Sequence, residues 1–201
     1  MKELLIATRN PGKFREISAF LKNEPLRLVS LADLKIEDDI EEDGLTYEEN
    51  AKKKAQFFSN KSGLMTLADD SGVEIDALDG MPGRNTRRWL GYEMTDDEII
   101  EHLYHVAATL PDKNRRAYFN TVVCLVIPSG EVFFSKGRIE GIIAKEPLIK
   151  KFPGFPFRSF FSIPEIGKFF FEDKFTDEEQ KLYNHRYIAV QGIKPAIRKY
   201  A

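Results

Sequence analysis

Leu4-Leu5-Ile6-Ala7 running straight into Thr8-Arg9-Asn10-Pro11-Gly12-Lys13 decides the fold class. The first four residues are a short apolar run of strand type, and the next six are rich in turn formers. Phe14, Ile17, Phe20 and Leu21 then recur at helical spacing. Strand, loop and helix in that order predict an α/β chain. Outward from there, Thr46 followed by Glu49 is a capping-box pattern, and Ala51, Ala55 and Phe58 share one face, so a second helix is predicted from Thr46 to about Asn60. Leu64-Met65-Thr66-Leu67-Ala68 reads as a buried strand that ends in a turn at Asp69-Asp70-Ser71-Gly72. Alternation resumes at Val73, Ile75 and Ala77.

Thr95 and Glu98 repeat the capping-box pattern before Ile99, Ile100, Leu103, Val106 and Ala107, and Pro111 ends that third helix. The β-branched and aromatic run from Ala117 to Ile127 meets Pro128-Ser129-Gly130 and then Val132-Phe133-Phe134, a hairpin signal that adds an antiparallel component. Nine of the sixteen Phe fall between Phe152 and Phe175, more aromatic surface than a short core segment needs, so part of it is expected to line a pocket. With 201 residues, 42% hydrophobic and 31% charged, the chain has the make-up of a globular protein rather than a disordered or collagen-like one. Thirty basic against 32 acidic residues give a net charge of -2, which argues against a nucleic-acid-binding module. The apolar runs are too short for a bilayer and no signal-peptide pattern opens the chain, so a cytoplasmic protein without a membrane partner is expected. The single cysteine, Cys124, sits in the apolar run Thr121–Ile127 and reads as a core thiol.

Three places could carry chemistry. Thr8 to Lys13 offers a hydroxyl, an amide, a Gly and a Lys where a strand hands over to a helix, a place suited to a phosphate, although Asn-Pro-Gly also makes an ordinary tight turn. It is not a Walker A loop. Glu49, Asp69 and Asp70 are acids that could converge, and beside an anionic phosphate they would need a hard cation such as Mg²⁺ between them. Glu49 could equally cap Thr46, and Asp69-Asp70 could be a solvated turn. His102 and His105 lack a third metal ligand nearby and read as a helix face. His185-Arg186, after the Phe-rich section, pairs an imidazole with a guanidinium able to bond a base edge.

Taken together, ATRNPGK, TYEENAKKKA, LADDSGVEIDALDGMPG, RRAYF, GFPFRSFF and NHR resemble the inosine triphosphate pyrophosphatase family, also called Ham1-like, over nearly the whole chain and in that family's motif order. The resemblance implies one domain over 1–201: an elongated α/β protein with a mixed central sheet flanked by helices, two lobes sharing that sheet, and a nucleotide cleft between them. A homodimer is implied as well. So is Mg²⁺-dependent hydrolysis of deaminated purine nucleotides (ITP, dITP, XTP) to the monophosphate and pyrophosphate. By resemblance Thr8, Asn10, Lys13 and Lys54 bind the substrate's phosphate end, Ser71 also binds substrate, Glu49 and Asp70 hold the metal with Asp69 in support, and Asp70 is the general base. Arg88 approaches the phosphates, with Arg87 as its rival. The base falls to Phe155, Phe157, Arg158, Gln180, His185 and Arg186.

The base-reading stretch departs from the family pattern. Where a typical member reads GFGYDP or GFGWDP, Gly154-Phe155-Pro156-Phe157-Arg158-Ser159 puts a cation in place of an acceptor. The usual lysine aligns with Gln180, beside Lys181, and the serine of SHR is Asn184. Stacking tolerates any base while hydrogen bonds discriminate. Arg158 and Gln180 therefore either exchange roles and keep inosine or xanthosine selection, or read a different base. A nucleotide-binding protein, or a pyrophosphatase of altered base specificity with little ITP turnover, is the alternative function.

Overall fold

The opening stretch forms β1 (Glu3–Ile6) and α1 (Pro11–Leu21) in the computed structural model, which describes residues 2–148, 150–171 and 174–201. Further on come β2 (Arg27–Ser30), α2 (Tyr47–Ser62), β3 (Met65–Ile75), β4 (Pro82–Gly83), α3 (Asp96–Thr109), β5 (Arg116–Val126) and β6 (Val132–Ile143). The chain continues through β7 (Phe161–Ile163), β8 (Lys168–Phe169), α4 (Asp177–Tyr183) and α5 (His185–Tyr200). Among the described residues the strands form one sheet of order β2-β1-β3-β5-β6-β7-β8, with β4 pairing β3 off this path. It is mixed: β1 runs parallel to β2 and β3, whereas β7 is antiparallel to β6 and β8.

Two compact units divide the chain: Met1–Ser71, Thr121–Gly137 and Arg186–Ala201 form the first, Gly72–Asn120 and Arg138–His185 the second. In the first unit, strand residues alternate between two cores, as a pleat buried on both faces requires. Leu4, Ile6, Met65, Leu67, Val123 and Leu125 pack with Ile17 and Leu21 of α1 and Val190, Ile193 and Ile197 of α5. Leu5, Ala7, Ala68, Val122, Cys124 and Val126 pack with Ala51, Ala55 and Phe58 of α2. The expected near-continuous apolar strands follow from this double covering.

Helix starts obey their caps. Asn10 accepts from the N–H groups of Gly12 and Lys13, Thr46 from that of Glu49, and Thr95 with Glu98 completes a capping box. The C-terminal end of α3 is sealed by Arg115, which donates from Nη1 to the Leu110 carbonyl at 3.0 Å and from Nη2 to that of Ala107 at 2.8 Å. In the second unit the Phe-rich segment is mostly core, since Phe152, Phe157, Phe160, Phe161 and Phe170 are all buried.

One expectation is corrected. Asp69-Asp70-Ser71-Gly72 is no turn at a strand end, because β3 runs straight through it to Ile75. Neither acid is solvated: Asp69 is 1% exposed and Asp70 4%. A strand tolerates adjacent buried carboxylates only where each finds a partner, and each does.

Candidate active site

In the first unit, consecutive β3 residues point to opposite faces, so Asp69 and Asp70 meet different partners. Asp69 Oδ2 lies 3.1 Å from Lys13 Nζ and accepts from Arg186 Nε at 3.2 Å. Burial on its own would raise this carboxyl, but the charges of Lys13, Arg186 and Lys54 outweigh it and hold Asp69 well below the usual carboxylate range. Its Oδ1 is buried with no hydrogen-bond partner among the described residues. Arg186 is itself 2% exposed. Its other nitrogens donate to Glu16 Oε2 at 2.5 Å and to Ser71 Oγ at 3.1 Å.

Asp70 faces α2. Its Oδ2 accepts from Asn50 Nδ2 at 3.0 Å, and its Oδ1 from the Ser71 N–H at 2.8 Å. Burial pushes its pKa up and the charge of Glu42 adds to the rise, against the pull of Lys54 and Lys13. Lys54, one helical turn beyond Asn50, is largely buried and ion-paired with Glu42. Burial would lower the Lys54 pKa, yet Glu42, Asp69 and Asp70 together hold it raised, so the ammonium stays charged.

The loop preceding α2 carries Glu37, Asp38, Asp39, Glu41, Glu42 and Asp43, and lysines of α2 meet it: Asp38 pairs with Lys61 at 2.5 Å and Asp43 with Lys53 at 2.5 Å. At the start of α1, the Thr8 hydroxyl accepts from the Asn10 N–H at 3.2 Å. Thr8, Asn10 and Lys13 are thus drawn into one self-capped corner, with the Lys13 ammonium delivered to the Asp69 side of β3.

Glu49 goes elsewhere. Its carboxylate accepts from the Leu45 N–H at 2.6 Å, and the residue is exposed. Lys54 pairs instead with Glu42, whose charge is also felt at Asp70. Among the described residues no group of three His, Cys, Asp or Glu side chains forms a closed metal cage. A pair of carboxylates is nonetheless a suitable donor set for Mg²⁺, which takes one or two from the protein and fills its shell with water and phosphate oxygens. The burial-raised Asp70, with Glu42 nearby, fits that need.

The second unit holds most of the residues expected to read a base. Arg158 is 1% exposed, with its guanidinium carbon 3.7 Å from the centre of the Phe155 ring and 4.8 Å from that of Phe170. Phe157 is buried and stacks on Trp89 at 6.0 Å. His185 stacks on Phe119 at 4.8 Å. Gln180 Oε1 accepts from Asn184 Nδ2 at 2.8 Å. Arg88 is half-buried, whereas Arg87 is paired with Asp96 at 2.6 Å.

The sequence matches the family model described as Ham1 family over residues 4–196. The chain belongs to the Ham1 family. It is 40% identical over 167 residues to the dITP/XTP pyrophosphatase of Geobacter sulfurreducens, covering 83% of each chain. It is 38% identical over 193 residues to the dITP/XTP pyrophosphatase of Halalkalibacterium halodurans, covering 96% of this chain and 97% of that one. Among solved structures, a HAM1 protein from Coxiella burnetii superposes with a TM-score of 0.81 at 29% identity, covering 99% of this chain and 100% of that one.

Within this Ham1 chain the structure brings together Lys13, Lys54, Asp69, Asp70, Ser71 and Arg186 in the first unit. It places Phe155, Phe157, Arg158, Gln180 and His185 in the second. Three site residues escaped the sequence reading. Glu42 is one acid in a run that resembles a solvated loop. Asn50 lies inside the ENAKKKA motif on the same helix face as Lys54, and that spacing was the available signal. Glu16, one turn after Lys13, is a lone acid on the apolar side of α1.

Proposed function

We propose that this chain hydrolyses deaminated purine nucleoside triphosphates, dITP, ITP and XTP, releasing pyrophosphate and the nucleoside monophosphate with Mg²⁺ as cofactor. The observation that carries the reading is the set of a buried Asp70 and the half-buried Glu42, Lys54 and Lys13, two acids and two cations within one unit, with Lys54 paired to Glu42 and Lys13 reaching β3 at Asp69. The activity named for the curated relatives supports it.

In this reading Lys13 and Lys54 exchange their carboxylate partners for phosphate oxygens. Their ammonium groups then offset the charge that grows on the leaving pyrophosphate. Asp70 and Glu42 would hold Mg²⁺, which would supply positive charge to the phosphate oxygens. Asp70 orients the attacking water and accepts its proton on a carboxylate oxygen. Asn10 and Thr8 hold the loop that sets Lys13 in place. Base reading falls to Phe155, Arg158, Gln180 and His185.

A second reading, altered base preference, draws on the buried Arg158 guanidinium against Phe155: a donor-only side chain selects acceptor groups on a base edge. A pyrophosphate-release screen with Mg²⁺ across dITP, ITP, XTP and the standard NTPs and dNTPs separates the two. Preference for the deaminated purines supports the first reading, and a preferred standard base supports the second. Release from none of them would overturn the enzymatic assignment.

A further inference from the structure

Asn50 is 2% exposed and its carboxamide is spent at both ends. Oδ1 accepts from the Gly44 N–H at 2.8 Å, and Nδ2 donates to Asp70 Oδ2 at 3.0 Å. The orientation of the amide is dictated by its partners: a backbone N–H only donates, so the oxygen must face Gly44 and the nitrogen Asp70. Gly44 closes the loop that carries Glu42. One side chain therefore ties the acid-bearing loop to the acid-bearing strand.

Gly44 has no room for a side chain beside this amide. Its φ is not among the left-handed values of the chain, so the requirement is space. A Cβ there would stand 2.6 Å from Asn50 Oδ1 and 2.8 Å from Glu49 Cβ. Neither approach is tolerable without displacing the amide or the loop. A buried Asn and a glycine with no room for a Cβ thus meet at one hydrogen bond.

We infer that Asn50, seated against Gly44, is a positioning residue that holds the Glu42 loop and Asp70 in mutual register as the protein's two-carboxylate cation site. The inference rests on the reading given under Proposed function, and it assigns Asn50 no contact with the nucleotide. Replacing it should loosen the carboxylate pair without removing any group that touches substrate, as outer partners of metal ligands do.

The test uses the full-length protein, Asn50→Ala, Gly44→Ala and Asp70→Asn, with Mn²⁺ alone as the probe, its binding followed by electron paramagnetic resonance. Steady-state kcat and KM for dITP are measured in parallel. Asn50→Ala and Gly44→Ala should each weaken Mn²⁺ binding by about 10- to 100-fold and lower kcat at fixed Mg²⁺ by a similar factor. KM for dITP should move less than about threefold, because no substrate contact is lost. Wild-type Mn²⁺ affinity in a folded Asn50→Ala overturns the inference. Should that variant fail to fold, Gly44→Ala decides alone: the bond is disturbed from the loop side, and unchanged Mn²⁺ binding overturns the inference again. Mn²⁺ bound by the wild type and weakened in both variants, with no pyrophosphate released from dITP by the wild type, supports the positioning role and refutes the pyrophosphatase reading instead.

Discussion

Arg186→Met removes the hub of the buried charge network in the first unit. The wild-type guanidinium is 2% exposed and faces Glu16, 7% exposed, and Asp69, 1% exposed. Met fills comparable volume, so packing changes little and the electrostatic loss dominates. Asp69 keeps Lys13 at 3.1 Å, and the loss falls mainly on Glu16, whose 2.5 Å bond to Nη1 disappears. Removing one partner of a buried ion pair costs about 3–5 kcal/mol. In a chain of this length each kcal/mol moves Tm by roughly 2–4 °C, so a fall of about 6–20 °C is expected. Differential scanning calorimetry and urea unfolding followed by circular dichroism read it directly. Adding Glu16→Gln to Arg186→Met should recover at least about half the loss, since a neutral amide no longer demands the missing cation. A loss under about 1 kcal/mol with no coupling between the two positions would refute the reasoning: Arg186 would then be free of the network and available to a nucleotide base.

Two further outcomes follow from other buried groups. The Cys124 thiol is fully buried and pushed up to about 12 by burial, so the folded protein should not react with a thiol-specific disulfide reagent at pH 8, while guanidinium-unfolded protein should react fully; rapid labelling of the native state contradicts its core placement. Glu24 accepts from Arg198 Nε at 2.8 Å and Nη2 at 2.9 Å and lies 3.5 Å from Lys194, and the Arg198 hydrogen bond, working against burial, leads in holding its carboxyl below the usual value. A carboxyl depressed in the folded state contributes stability that is complete above its unfolded value of 4.5 and fades as pH falls through its lower folded value. Glu24→Gln should therefore lower Tm at pH 7, by about 1–1.5 kcal/mol of stability, with the deficit shrinking as the pH falls below 4.5; a deficit independent of pH would show that the charge is not what Arg198 holds.

What the sequence discloses and what it hides divides along physical lines. Local signals were legible: Thr46 with Glu49 and Thr95 with Glu98 announce helix starts because a cap and its partner lie within four residues. The β1–loop–α1 hand-over and the apolar faces of α2 and α3 are equally local. Asp69-Asp70 misleads because the cations that allow two acids inside a strand come from α1, α2 and α5, and Arg186 stands 117 residues away. The same distance effect conceals Glu42, whose partner Lys54 is supplied only when the acidic loop folds back on α2. Glu49 sits in a real capping sequence but turns its carboxylate to Leu45, which no pattern distinguishes from a turn inward. The aromatic segment announces burial by composition alone. That Phe155 and Phe170 would flank a buried Arg158 needs the tertiary fold.

The proposed reaction turns on Asp70, hydrogen-bonded to Asn50, as the base that activates water. Its most direct test is Mg²⁺-dependent pyrophosphate release from dITP by wild type and by Asp70→Asn, with circular dichroism and Tm confirming that both are folded. Turnover by the wild type is expected, with a loss of at least about 10²-fold in kcat for the variant, the scale of a missing general base. A folded Asp70→Asn that turns over at the wild-type rate would contradict it.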